Sequence, residues 1–172
     1  VGPLVLVLVR VRVGNQHVVP LETVTVRFKG GLNPRQIFAL TTELDLTEVA
    51  RPKGTTGIGH TRWATHGAPN EINAHPHKAG PVAVVHNGII ENYRVLRDEL
   101  IAAGRVFETE TDTEVIAHLC ARLIASGLSP ADAAAATLAR LEGAFALCFI
   151  FEGEDDLMIA ARRGSPLAVG HG

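Results

Sequence analysis

The sequence predicts an α+β fold in a single domain, on three observations. Strand signals stand at both ends of the chain: a Val-rich alternating stretch at 4–13, and two apolar runs at 144–151 and 157–161 joined by a polar turn at 152–156. Helix signals fill the stretch between 91 and 141, each with its own start or stop residue. Length and composition allow one aliphatic core, since 47% of the 172 residues are hydrophobic and only 5% aromatic.

Residues 4–13 form the first predicted strand, with Arg10 and Arg12 on one face, and residues 17–28 a second, interrupted by Pro20. Asn33-Pro34 opens a helix through Leu40, and a mixed stretch ends near Pro52-Lys53-Gly54. Gly57-Ile58-Gly59 leads from strand into loop. Residues 81–85 read as a short buried strand that stops at Asn87-Gly88, a dipeptide suited to positive φ. A helix follows from about Glu91, with Leu96, Leu100 and Ile101 on one face and Gly104 as its stop. Thr111-Asp112-Thr113-Glu114 fits a capping box, in which Thr and Glu each satisfy an end amide. The helix it opens carries Val115, Ile116, Leu119, Cys120, Leu123 and Ile124 on its apolar face, with Gly127 at C′. Ser129 as N-cap, Pro130 at N1 and Asp132 near the positive end of the dipole start the next helix. That helix runs to about Leu141 and ends at Gly143; after the paired strands come a turn at 162–166 and a last short strand at 167–169.

The net charge of −2 and a pI near 6.5 give no reason to expect nucleic acid or an anionic membrane as partner. Two cysteines, Cys120 and Cys148, argue against a disulfide scaffold and for a reducing cytoplasm. The longest early apolar run, at 4–9, is far too short to span a bilayer and has no signal-peptide flanks.

The chemistry concentrates at 60–92, which holds the single Trp and five of the eight His: His60, His66, His75, His77 and His86. Such a mixture suits a pocket for a small polar ligand. Arg62 offers a planar fork for a carboxylate, and Thr65 and His66 can add donors to the same anion. The Asn87 amide and the Gly88 backbone N–H can converge on one oxygen, as in an oxyanion hole. Asp112 can receive an ammonium group. The plainer readings are a surface ion pair for Arg62, a core position for Trp63, a turn at Asn87-Gly88 and a helix-start acid at Asp112. His75 and His77 stand two apart and could meet one metal ion, but no HExxH pattern, Cys pair or paired carboxylates accompany them, so no metal is expected.

Residues 57–172 resemble the glutaminase domain of glutamine–fructose-6-phosphate aminotransferase, also called glucosamine-6-phosphate synthase. The resemblance rests on GIGHTRWATHG at 57–67, NAHPH at 73–77, VVHNGIIENY at 84–93, ETDTEVIAHL at 110–119 and RRGSPLAVG at 162–170. It implies an Ntn-hydrolase fold, a four-layer αββα sandwich, and a glutamine site needing no cofactor. In the family, the residue matching Arg62 holds the glutamine carboxylate with help from those matching Thr65 and His66. The residue matching Asp112 binds the α-amino group. Those matching Asn87 and Gly88 form the oxyanion hole, and the one matching Trp63 gates ammonia passage. A sugar-phosphate isomerase domain, through which family members homodimerise, is expected outside these residues.

The family's nucleophile is an N-terminal Cys, whereas this sequence opens Val1-Gly2-Pro3, and Cys120 and Cys148 both fall in apolar patterns. The expected division is therefore an atypical segment at 1–54 and a glutaminase-like domain at 55–172 that stops before its last strands. Residues 1–54 are expected to pack peripherally or incompletely, because Arg10 and Arg12 suit a central strand poorly. Two functional readings follow: an ammonia-supplying glutaminase domain that is inactive as written, or a pseudo-glutaminase that binds glutamine or glutamate without cleaving it.

Overall fold

The computed structural model describes residues 6–9, 57–60, 66–68, 72–154 and 157–167. Six strands and three helices lie among them. Strand β1 (Leu6–Val9) pairs antiparallel with β2 (Gly57–His60), Leu6 opposite His60 and Val9 opposite Gly57. Strands β3 (His77–Ala79), β4 (Val82–Ile90), β5 (Gly143–Phe151) and β6 (Met158–Arg163) form one antiparallel sheet in sequence order. Between β4 and β5 come α1 (Tyr93–Ala102), α2 (Glu114–Ala125) and α3 (Pro130–Arg140).

The strand expectation at 4–13 is met over Leu6–Val9. The strand at 17–28 and the helix from Asn33-Pro34 lie outside the described residues, as do 168–170; Leu167 itself is not in a strand. No helix among the described residues is long and apolar enough to cross a membrane.

Strand alternation builds two faces on the main sheet. Val82, Val84 and Ile90 of β4 and Phe145, Leu147, Phe149 and Phe151 of β5 join the helices in the larger core. Ala83 and Val85 of β4 and Cys148 and Ile150 of β5 point the other way, onto Ile58 of β2. The helix layer thus covers one face and the β1–β2 pair packs against the other, which gives three consecutive layers, α, β and β. Burying each of the large β5 side chains contributes roughly 1.5–3 kcal/mol, so β5 anchors both layers.

The helix ends follow local chemistry. Ser129 Oγ accepts the Asp132 N–H at 3.2 Å with Pro130 behind it, as predicted. Gly127 follows the last turn of α2 at φ +101°, where its N–H reaches Ile124 O at 2.9 Å and the Leu128 N–H reaches Leu123 O at 3.2 Å. Two expectations need correction. The N-cap of α2 is Thr113, whose side chain makes no capping bond, so the capping box does not form. Glu114 turns back instead to the loop before the helix and accepts the N–H groups of Glu108 and Thr109, each at 2.8 Å. The Asn87-Gly88 dipeptide is not a turn: β4 runs through it to Ile90, with Asn87 opposite Ala146 and Gly88 opposite Phe145. Pairing with β5 along nine residues overrides the local turn preference.

Candidate active site

The described candidate residues, His66, Asn87, Gly88 and Asp112, lie where β2, β4 and the loop before α2 meet. Asp112 is 3% exposed, and a carboxylate so buried requires donors. Its Oδ2 accepts the Ile90 backbone N–H at 2.8 Å, at the end of β4, and His66 Nδ1 lies 3.9 Å from the same oxygen. The His66 ring meets Tyr93, the first residue of α1, edge-on at 5.1 Å between centroids. His66 and Asp112 therefore share one corner.

Asn73 holds that corner together. Its Nδ2 donates to Ala68 O at 3.1 Å and to Glu110 Oε2 at 3.3 Å, and its Oδ1 accepts the Glu110 N–H at 3.0 Å. One buried amide thus fastens the 66–68 segment to the loop that carries Asp112. Gly67 fits tightly against it: a Cβ there would stand 2.8 Å from Asn73 Nδ2.

Asn87 and Gly88 lie on β4 just before Ile90. Asn87 is buried, and its Oδ1 accepts a hydrogen bond from His60 Nε2 at the end of β2. Gly88 sits at φ +123°, with Ala144 O only 2.1 Å from where a Cβ would stand. Only glycine fits this close pass against β5.

Around these residues the imidazoles form a packed group. The His75 ring lies 4.3 Å from that of His60 and 4.7 Å from that of His77. Thr113 Oγ1 receives two of them, His86 Nδ1 at 2.9 Å and His75 Nε2 at 3.0 Å. His77 Nε2 pairs with Thr111 Oγ1 at 3.1 Å. Burial, and then the neighbouring His60, His77 and His66, push the His86 pKa down to about 3, so its ring is neutral. These bonds tie the imidazoles to the threonines flanking Asp112, and among the described residues no group of three or more His, Cys, Asp or Glu is arranged to hold a metal.

Arg62, Trp63 and Thr65 lie outside the described residues. Of the remaining predicted residues, His66 is brought to Asp112, and Asn87 and Gly88 occupy the strand whose end holds Asp112. Sequence reasoning gave Asn73 no role of its own, saw Thr113 and Glu114 only within a capping box, and saw His60 only as one of a cluster. Neither cysteine approaches this corner as a nucleophile. Cys120 is on the core face of α2 and Cys148 on β5, both fully buried, with thiol pKa values pushed by burial up to about 11 and about 12.

The chain is 65% identical over 119 residues to a glutamine–fructose-6-phosphate aminotransferase (isomerizing) of Mesorhizobium japonicum, covering 69% of this chain and 20% of that protein. It is 63% identical over 119 residues to the protein of that name from Gluconobacter oxydans, with the same coverage. The chain thus spans about one fifth of the length of the curated relatives it matches. Among solved structures, the glutamine phosphoribosylpyrophosphate amidotransferase from B. subtilis superposes with a TM-score of 0.52 at 31% identity, covering 63% of this chain and 24% of that one. The family model described as a glutamine amidotransferase domain matches residues 60–171, and the chain belongs to that family, on an α+β fold of the Ntn-hydrolase type.

Proposed function

We propose that residues 55–172 form a glutamine site which, in the full-length protein, supplies ammonia for aminotransfer to fructose-6-phosphate. The observation that carries this reading is the Asp112 carboxylate, held at the end of β4 by the Ile90 N–H with His66 beside it. The negative charge of a buried carboxylate is the natural partner of a substrate ammonium, and a charge-assisted hydrogen bond between them would be among the strong ones. In this reading Arg62, aided by Thr65 and His66, grips the α-carboxylate, and Trp63 borders the site. Asn87 Nδ2 and the Gly88 N–H stabilise the oxygen of the side-chain amide as it becomes an oxyanion. The cytoplasm is the proposed location, since both thiols are free. Association with a second copy is assigned to the sugar-phosphate part of the full-length protein.

A second reading, binding of glutamine or glutamate without cleavage, is favoured by the burial of both thiols. Two measurements separate the readings. Calorimetry with glutamate should give binding that Arg62→Ala weakens by about 1.5–3 kcal/mol, the worth of a charged bidentate contact. Equal binding by wild type and variant would remove the proposed clamp. Glutamate release from glutamine, freed of contaminating enzymes, would assign turnover; binding without release would assign the second reading.

A further inference from the structure

The direction of the Asn87 side chain matters more than its presence. A primary amide fits the same space either way round. With Oδ1 toward β2 it offers Nδ2, a donor, to the opposite side; reversed, it offers an acceptor, which would repel an oxyanion. Pairing of Asn87 with Ala146 fixes the backbone but leaves the two amide orientations equivalent. The choice falls to the group that meets the amide.

That group is His60. By strand alternation Asn87 leaves the sheet on the face of Ala83 and Val85, and β2 covers this face through Ile58. His60, the last residue of β2, reaches Asn87 Oδ1 with Nε2. Three features steady the imidazole: β2 is paired with β1, Ile58 is buried, and the His75 ring packs on that of His60 at 4.3 Å. A ring carrying its proton on Nε2 donates there and accepts Oδ1 alone as partner.

We infer that His60 is a positioning residue, which donates through Nε2 to Asn87 Oδ1 and so presents Asn87 Nδ2 as a donor on the opposite side. The role given to that donor rests on the glutamine reading above; its orientation does not.

Nitrogen-15 NMR of the full chain tests this. In the wild type, long-range nitrogen–proton correlations of His60 should show the proton on Nε2; an Nδ1-protonated ring would overturn the inference without any variant. The Asn87 side-chain amide pair, identified by its loss in Asn87→Asp, should be dispersed in wild type and in His60→Gln, which keeps an N–H donor. In His60→Phe it should collapse toward the position of a free amide while the backbone amides of β4 and β5 stay in place. An unmoved pair in His60→Phe would overturn the inference. Titration with glutamate should then shift the Asn87 pair in wild type and His60→Gln. His60→Phe should bind within about threefold but leave the pair unshifted. No binding by the wild type would remove the glutamine reading, and the unliganded spectra would still decide the role of His60.

Discussion

His86 Nδ1 lies 2.9 Å from Thr113 Oγ1, a bond that joins the middle of β4 to the residue following Asp112. The ring is buried and its pKa lies at about 3, against 6.5 for an ordinary imidazole. Between these values the unfolded chain takes up a proton that the folded chain refuses. Stability therefore falls as pH falls, beginning near 6.5 and ending near 3. At about 1.4 kcal/mol per pH unit, this group alone removes about 2 kcal/mol by pH 5. Urea unfolding at pH 7 and pH 5 should show the loss, and His86→Gln should reduce it. A variant as acid-sensitive as the wild type would assign the effect to other groups.

Glu114 should act at lower pH. Burial opposes its ionisation, yet hydrogen bonds from His118, Thr109 and the backbone N–H groups of Glu108 and Thr109 outweigh that and bring its pKa to about 2 from 4.5. Its contribution is fully present above 4.5 and is lost as pH falls toward 2. Glu114→Gln turns an amide N–H toward donors and should cost about 1–3 kcal/mol at pH 7. Unfolding of the variant at pH 7 and pH 3 checks this; the gap between variant and wild type should narrow at pH 3.

What the sequence disclosed was what neighbouring residues decide among themselves. Ser129 and Pro130 start α3, and Gly127 closes α2, because the groups involved lie within one turn of each other. The capping box failed because Glu114 serves the loop at 108–109, a demand that the four-residue pattern does not contain. Asn87-Gly88 has the composition of a turn, and only the distant β5 keeps it extended. Of the candidate site, His66, Asn87, Gly88 and Asp112 could be named from residue type and from the family resemblance. Their supports were not: His60 and Asn87 are 27 residues apart, and Asn73 and Glu110 are 37 apart, with no periodic signal to link them.

Gly88→Ala should damage the fold as well as the site. The added methyl would stand 2.1 Å from Ala144 O and 2.8 Å from Phe145 Cα, both backbone atoms in the central strand, at a φ of +123° that L residues rarely adopt. Strain and overpacking together should cost about 3 kcal/mol or more. Thermal unfolding measures it. A variant within about 0.5 kcal/mol of wild type would mean that β4 and β5 separate easily at this point.

Cys120 and Cys148 should be inert in the native protein. Reaction with a thiol reagent requires thiolate and access. Burial denies both, raising the pKa values to about 11 and about 12 and leaving neither side chain exposed. Cys148 lies in β5 opposite Val85, so its sulfur opens to solvent only when the sheet parts. Both thiols should react with an aromatic disulfide at neutral pH only as fast as the chain opens, and promptly in urea. Cys120→Ala and Cys148→Ala should each lower stability by about 1–2 kcal/mol, the cost of small cavities, and leave glutamate affinity unchanged. Rapid labelling of either thiol in the native state, with loss of glutamate binding, would bring that cysteine back as a candidate nucleophile.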